Sequence, residues 1–251
     1  MTFFLFVLPF NYIQDTRIPI EQLMSQPENI SFAFQPVFVA QTNEIYGYEA
    51  LMRPFPYSPM EVITEFAKLN RLNYIEEITT YYGAKQFLEN KLTGKLFLNS
   101  FPAAVVSDEI LIKVRELVKG QLKNRLVIEI LEYTKFNSHA FHKKVIQFKK
   151  SKTGQEVAID DYGSGKNIDM ECIDFYKPDI VKIDHSLIKD IHINKENQHR
   201  LNEICSVLTQ KNISLLAECI ETKEEYDYLK KCPIKLMQGY YLGKPEIYSK
   251  K

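Results

Sequence analysis

The feature that most constrains the fold is a regular alternation of short apolar runs with helical stretches on the order of a dozen residues long. One helical stretch is NYIEEITTYYGAKQFLEN, and the apolar runs that follow it are KLFLN, RLVIEILE, QEVAIDD, DIVKID, SLLAECIE and LMQGYYL. This alternation predicts β/α units around a parallel sheet. Earlier in the chain, a short helix over residues 20–25 precedes SFAFQPVFV and IYGYEALM, which a turn at residues 42–44 joins into a hairpin.

The length of 251 residues suits one α/β barrel. Seven or eight strands close into a TIM-type (β/α)8 barrel more economically than they form an open sheet with a second domain. An open doubly wound sheet remains the alternative. We predict an apolar N-terminal extension over residues 1–17 and a single barrel domain over residues 18–251.

Composition excludes several classes of partner. Lys and Arg number 32, as do Asp and Glu, so no net field favours a nucleic acid polymer or an anionic membrane. The four cysteines form no C-x-x-C pair, which is typical of free thiols in a reducing compartment. We therefore expect a cytoplasmic protein.

The N-terminal segment MTFFLFVLPF is strongly apolar. It is shorter than the roughly 20 apolar residues that span a bilayer, so we expect no transmembrane segment here. It also lacks the basic region and cleavage site of a signal peptide. We expect it to pack on the domain or on a second subunit, with peripheral membrane contact by residues 1–10 as the alternative.

Each predicted parallel strand ends in a polar residue, and the second strand of the hairpin contributes Glu49. In chain order these residues are Glu49, Asn99, Glu129, Asp160, Asp161, Lys182, Glu218 and Gln238. In a β/α barrel the active site forms at the C-terminal face, where residues from different strand ends converge. If the chain is a barrel, these side chains therefore meet.

Five carboxylates in one cleft with a single lysine cannot all remain ionised unless cations neutralise them or their pKa values rise. Oxygen ligands without Cys or His favour a hard ion, Mg²⁺ or Mn²⁺. The adjacent acids Asp160 and Asp161 suit two neighbouring ions, an arrangement used for in-line attack on phosphate esters. The pattern therefore predicts a two-metal phosphodiester site.

Other chemistries receive little support. His185, His192 and His199 fall seven residues apart in a polar stretch, which we interpret as the exposed face of a helix rather than a metal site. The strand ends carry no Ser/His/Asp set, and the chain contains no P-loop or G-x-G-x-x-G motif. Hydrolysis through a protein nucleophile is not expected.

Seven segments resemble, in order, the signature segments of EAL domains, bacterial phosphodiesterases that hydrolyse cyclic di-GMP to linear pGpG. They are YEALMRP (48–54), LFLNS (96–100), LVIEILE (126–132), AIDDYGSG (158–165), VKID (181–184), LLAECIET (215–222) and QGYYLGKP (238–245). The resemblance covers about residues 20–245 and implies a modified barrel whose first strand runs antiparallel.

The resemblance also implies two Mg²⁺ or Mn²⁺ ions per active site. Glu49, Asn99, Glu129 and Asp160 would hold the first ion. Asp161 would hold the second ion and could share the first.

Further roles follow from the same resemblance. Lys182 would contact the metal-bridging water or the scissile phosphate, and Glu218 would orient or deprotonate that water. Arg53 would bind a substrate phosphate, while Gln238 and Glu221 would help to hold substrate and metal-bound water.

Glu132 matches a glutamate that steadies the loop after the paired aspartates in this family. That loop, residues 162–170, is linked in the family to metal loading and to dimer contacts, so we expect a homodimer. Its second half reads KNIDM in place of a serine-rich stretch.

The clearest departure from the family is Cys219, which replaces a glycine next to Glu218. If the glycine provides positive φ or close backbone approach, a Cβ and thiol would perturb Glu218. If the position only requires a small residue, cysteine fits. Two hypotheses therefore stand: an active cyclic di-GMP phosphodiesterase, and an inactive module that binds cyclic di-GMP or a protein partner.

Overall fold

A barrel of β-strands dominates the computed structural model, which describes residues 17–101, 104, 108–130, 155–163, 170, 173–174 and 177–248. Its strands are β1 (Ser31–Val39), β2 (Ile45–Arg53), β3 (Lys95–Ser100), β4 (Leu126–Ile130), β5 (Glu156–Tyr162), β6 (Ile180–Ile183), β7 (Ser214–Ala217) and β8 (Leu236–Met237). They pair in chain order into a closed barrel. The open sheet considered as an alternative is therefore wrong.

Strand direction gives the barrel its modified form. β1 runs antiparallel to both of its neighbours, β2 and β8, whereas the pairs from β2 through β8 are parallel. Closure between β1 and β8 is short, with Phe38 opposite Met237 and Val39 opposite Leu236. The predicted antiparallel first strand is confirmed.

Helices cover the outside of the described barrel. They are α1 (Ile20–Met24), α2 (Pro59–Lys68), α3 (Leu72–Glu89), α4 (Asp108–Leu117), α5 (His185–Ile188), α6 (Lys195–Gln210) and α7 (Lys223–Leu229). Two of them begin with a capping box, in which a side-chain hydroxyl accepts from a backbone N–H three residues later and a glutamate returns the bond. Ser58 and Glu61 form the box of α2, and Thr222 and Glu225 that of α7.

The stretch with the three histidines is not one helix. Asp190 adopts a left-handed backbone (φ 54°) between α5 and α6, and Asn194 caps α6 through a bond from the Asn197 N–H. His192 lies in the turn between the two helices. The expected single helical face is wrong, because a left-handed residue cannot continue a right-handed helix.

Apolar side chains fill the barrel below its mouth. This inner layer consists of Val37, Phe97, Val127, Ala158, Ile180, Leu216 and Leu236, each buried. Two larger clusters lie outside it, one between β1–β4 and the first helices and one between β5–β8 and the later helices. Strands buried on both faces read as continuous apolar runs, which explains why the sequence revealed them.

Several predictions fall outside the described residues. Residues 1–16, with the predicted packing or membrane contact, lie there, as do Glu132 and residues 164–169 of the loop after the paired aspartates. Within the described part of the chain, no helix is both long and apolar enough to cross a bilayer.

Candidate active site

The polar strand-end residues form a layer directly above the apolar core. Alternate residues of a strand face the same side of a sheet. Six of the seven inner-layer residues, those of β3 to β8, are therefore followed two positions later by a polar residue: Asn99 after Phe97, Glu129 after Val127, Asp160 after Ala158, Lys182 after Ile180, Glu218 after Leu216, and Gln238 after Leu236. The barrel brings these side chains together as the sequence predicted.

Lys182 lies at the centre of this layer and is 1% exposed. Its Nζ is 2.6 Å from Glu218 Oε1, 2.8 Å from Glu129 Oε1 and 2.9 Å from Asp160 Oδ1. Glu49 Oε2 is farther away, at 4.0 Å. Burial alone would lower the pKa of Lys182, but the surrounding carboxylates raise it well above its ordinary value. The lysine is therefore a permanent cation at neutral pH.

Two neutral amides orient Glu49. Asn99 Nδ2 donates to Glu49 Oε1 at 3.1 Å, and Gln238 Nε2 donates to Glu49 Oε2 at 2.9 Å. Burial would raise the pKa of Glu49, but the charge of Lys182 and these two hydrogen bonds lower it overall. Glu49 is thus held as an oriented carboxylate anion.

Glu129 is fully buried and poorly satisfied. Among the described residues, neither of its carboxylate oxygens accepts a hydrogen bond of good geometry, although Lys182 Nζ forms an ion pair with Oε1 at 2.8 Å. Burial and the nearby carboxylate of Glu49 raise the pKa of Glu129 well above its ordinary value. Burial also raises the pKa of Glu218, against the opposing charge of Lys182.

The charges in this layer do not balance. Among the residues that the structure describes, four carboxylates face a single ammonium group, which would leave three negative charges if all four acids were ionised. Buried carboxylate oxygens without donors are costly unless they gain a proton or a cation. The set of potential ligands, carboxylate and amide oxygens, therefore fits a hard divalent cation.

A strand irregularity places two adjacent aspartates on one side. Neighbouring residues of a regular strand face opposite sides, but the β5–β6 register shifts between Ile159 and Tyr162, and Asp161 adopts a left-handed backbone (φ 55°). Oxygens of Asp160, Asp161 and Glu218 consequently lie within 4.8 Å of one another. These three acids could together ligate an ion.

A cleft of about 280 Å³ opens beside the acids. Its walls include Gln35, Glu49, Glu218, Cys219, Glu221 and Tyr240. Gln35 was not predicted as a site residue; it is opposite Glu49 in the β1–β2 register and donates from Nε2 to the Gly243 carbonyl at 3.1 Å. Its occurrence as a polar residue in the middle of the apolar run SFAFQPVFV could have indicated a role in the site.

Cys219 adopts a left-handed backbone, with φ 52°. The position therefore requires the conformation that glycine favours, and the reading in which it only needs a small residue is wrong. Close approach instead occurs at Gly239, where a Cβ would lie 2.2 Å from the Ile220 nitrogen. The backbone after Glu218 is thus strained at the cysteine.

Two predicted substrate residues lie at the edge of the site. Glu221 is exposed and borders the cleft. Arg53 ends β2, four residues beyond Glu49 and on the same strand face. Its guanidinium donates to the Met52 carbonyl at 3.1 Å, and within the described part of the chain it forms no ion pair with the acids.

The fold and the site together define a β/α barrel whose mouth concentrates carboxylates around a buried lysine. The chain belongs to the EAL domain family: the family model described as EAL domain matches residues 20–245. This match confirms the resemblance inferred from the seven sequence segments.

Curated relatives from Escherichia coli K12 are similar over different shares of the chain. PdeL, described as a cyclic di-GMP phosphodiesterase, is 26% identical over 251 residues, covering 87% of this chain and 66% of PdeL. PdeA, described as a probable cyclic di-GMP phosphodiesterase, is 28% identical over 160 residues, covering 62% of this chain and 22% of PdeA. Against PdeG, another probable cyclic di-GMP phosphodiesterase, the chain spans only 18% of the relative's length.

Solved structures extend the similarity to the whole barrel. A standalone EAL protein from Vibrio cholerae O395, in its c-di-GMP bound form, has a TM-score of 0.76 at 28% identity, covering 87% of this chain and 93% of that one. A manganese and cyclic di-GMP complex of BlrP1 from Klebsiella pneumoniae has a TM-score of 0.70 at 26% identity, covering 86% of this chain and 56% of that one.

Proposed function

We propose that this chain hydrolyses cyclic di-GMP to linear 5′-pGpG in a reaction that needs Mg²⁺ or Mn²⁺. The observation that carries the proposal is the convergence of four carboxylates on Lys182, with the buried Glu129 oxygens lacking donors among the described residues. Such a site suits cations more readily than a purely structural role. Membership of the EAL domain family and the phosphodiesterase names of its relatives support the choice of substrate.

Two ions per active site would use the residues named by the family resemblance. Glu49, Asn99, Glu129 and Asp160 would hold the first ion, and Asp161 would hold the second and could share the first. Bound divalent ions would lower the pKa of water and offset the charge that develops on the phosphate.

Glu218 would accept the proton of the attacking water. Its side chain is 12% exposed and borders the cleft, so it can reach both solvent and substrate. Its raised pKa, caused first by burial, brings the carboxyl closer to the range of an efficient general base. The water oxygen would bond to phosphorus, the bond from phosphorus to the 3′ oxygen would break, and that oxygen would gain a proton.

Lys182 would stabilise the phosphate charge, since its ammonium remains protonated in the site. Arg53 would bind two oxygens of a substrate phosphate through its planar guanidinium group. Gln238 and Glu221 would orient the substrate from the cleft wall. Glu132 would support the loop after the aspartates.

The homodimer, the cytoplasmic location and the division at residue 17 remain predictions.

Product analysis tests the proposal directly. The purified chain is incubated with cyclic di-GMP and Mn²⁺, and pGpG is measured by chromatography. We expect metal-dependent product that falls at least ~100-fold in Glu218→Gln, since loss of a general base typically costs about 10²–10⁴ in rate. Glu49→Ala should lose activity together with metal affinity. Glu224→Gln, an exposed change outside the cleft, is the matched control and should retain activity.

Binding without hydrolysis is the second candidate function. The left-handed Cys219 favours it, because strain beside Glu218 could displace the general base. Calorimetry with cyclic di-GMP separates the two candidates. Binding without pGpG under either ion would contradict hydrolysis and support the receptor, whereas product formation would exclude a purely passive module.

A further inference from the structure

Tyr240 presents an aromatic ring on the wall of the cleft. The residue is 58% exposed, although it lies two positions after the buried Gln238 and borders the same cleft as Glu218. A large exposed ring beside a group of carboxylates offers apolar surface in a site that is otherwise polar. An aromatic face in such a position suits a flat, partly apolar ligand.

The backbone beneath this ring is held firmly. Tyr241 N–H donates to the Ile220 carbonyl at 3.0 Å, and the N–H groups of Leu242 and Gly243 both donate to the Gly239 carbonyl at 3.0 Å. Gly239 also lies so close to Ile220 that any side chain there would collide with it. The turn that carries Tyr240 is therefore fixed to the loop that carries Glu218.

The neighbouring tyrosine has a different environment. The ring of Tyr241 packs against Tyr226, with centroids 5.4 Å apart, and Tyr226 donates through its hydroxyl to Asn43 Oδ1 at 2.7 Å. Among the aromatic residues in the described part of the chain, none forms a ring pair with Tyr240. Instead, Lys244 Nζ lies 5.6 Å from its ring centroid. Tyr241 thus stabilises the turn, while Tyr240 is largely exposed, with the Lys244 ammonium near its ring.

We propose that the ring of Tyr240 is the stacking platform for one guanine base of the cyclic dinucleotide. This inference rests on the proposed function and adds a base-binding residue to it. Stacking of a base on an aromatic side chain contributes about 1–3 kcal/mol, judged by substitution with alanine. The cation of Lys244 beside the ring suits a ligand that carries phosphates.

Binding measurements test the platform. Cyclic di-GMP is titrated by calorimetry into Glu218→Gln protein with Mn²⁺, so that turnover does not consume the ligand. We expect Tyr240→Ala in this background to weaken binding about 5- to 150-fold, the range that corresponds to 1–3 kcal/mol. Tyr240→Phe keeps the ring and should bind within about twofold of the parent. Phe55→Ala is the matched control, since Phe55 is 86% exposed and is not part of the cleft wall.

Kinetics add a second readout. A stacking contact made equally in the ground state and the transition state changes KM and leaves kcat unchanged. We therefore expect Tyr240→Ala in the otherwise unaltered protein to raise KM with little effect on kcat. Thermal melts check folding, and removal of an exposed ring should leave the melting temperature nearly unchanged.

The outcomes separate the platform from the function beneath it. If the parent binds cyclic di-GMP and Tyr240→Ala binds equally well, the platform is wrong and the proposed function stands. If Tyr240→Phe loses as much affinity as Tyr240→Ala, the hydroxyl rather than the ring face contacts the ligand, and stacking is again wrong. If the parent neither binds nor hydrolyses cyclic di-GMP, the proposed function fails first and the platform with it.

Discussion

At the scale of single residues, Cys219 holds a conformation that its own side chain opposes. A left-handed backbone costs a residue with a Cβ about 1–2 kcal/mol, whereas glycine adopts it freely. Glycine in turn destabilises the folded state by about 0.5–1 kcal/mol relative to a residue with a Cβ, because it has more conformational freedom in the unfolded chain. The two effects have opposite signs, and the strain is the larger one.

We therefore expect Cys219→Gly to raise the free energy of unfolding by about 0.5–1 kcal/mol, which is the difference between these two effects. The melting temperature should rise by about 1–4 °C for a chain of this size. Asn212→Gly is the control, because Asn212 is exposed with φ 59° and asparagine already tolerates this conformation. A destabilised Cys219→Gly protein would show that the thiol makes contacts worth more than the strain.

At the scale of elements, the buried carboxylate of Glu225 joins three chain segments at the start of α7. Its Oε1 accepts from the Asp190 N–H at 3.0 Å, and its Oε2 accepts from the N–H groups of Glu221 and Thr222 at 2.9 and 3.1 Å. One side chain thereby connects the turn after α5, the loop after β7 and the cap of α7. The loop that carries Glu218 depends on this connection for its position.

We expect Glu225→Gln to lower the free energy of unfolding by about 1.5–3 kcal/mol, because an amide N–H₂ would face backbone donors in place of a carboxylate oxygen. Chemical denaturation measures this loss. Glu224→Gln, the exposed neighbour on the same helix, should change stability by less than about 0.5 kcal/mol. Equal stability of the two variants would contradict the proposed role of the buried carboxylate.

The pH dependence of the same contact has a definite sign. Burial would raise the pKa of Glu225, but the backbone donors from Glu221, Asp190 and Thr222 lower it below the ordinary value of 4.5. Its stabilisation is therefore complete above 4.5 and disappears as the pH falls through the lowered folded pKa. The difference between the unaltered protein and Glu225→Gln should accordingly shrink in acid, as denaturation curves at successive pH values would reveal.

At the scale of the whole molecule, the barrel assembles acids that are distant in the chain, and the energetic cost depends on what neutralises them. Without a bound ion, the raised pKa values of Glu129 and Glu218 mean that the folded state binds more protons than the unfolded state above the ordinary value of 4.5. Stability then falls as the pH rises through the folded pKa values. A divalent cation that replaces those protons removes this loss.

We therefore expect Mg²⁺ or Mn²⁺ to raise the melting temperature, relative to protein in EDTA, more at the higher of two pH values above 4.5 than at the lower one. In EDTA, the contribution of Glu129 and Glu218 to the stability of the same protein should be smaller at the higher pH. Glu129→Gln removes one proton-binding group and should flatten the pH dependence of the metal effect. A metal effect that is equal at both pH values would contradict the assignment of cations to this cluster.

Local patterns predicted the strands and the helices α1 and α3. Strands buried on both faces produced unbroken apolar runs, and no strand from β1 to β8 extends more than one residue beyond the run that the sequence indicated. The stretch from His185 to His199 was misread because the periodic spacing matched a helix while Asp190, a common left-handed residue, interrupted it. Gln35 was not predicted because it lies within the antiparallel first strand and not at the end of a parallel strand.

The sequence by itself determined which segments become strands, which become helices, and which strands end in an acid or an amide, because periodicity and side-chain chemistry are local properties. Only the tertiary structure decided that Lys182 lies among four carboxylates, since closure of the barrel brings their strands together. The shifted register at Asp160 and Asp161 and the left-handed Cys219 were likewise decided there. A backbone dihedral angle or a strand register depends on neighbouring strands and loops, so a local run of residues does not predict it.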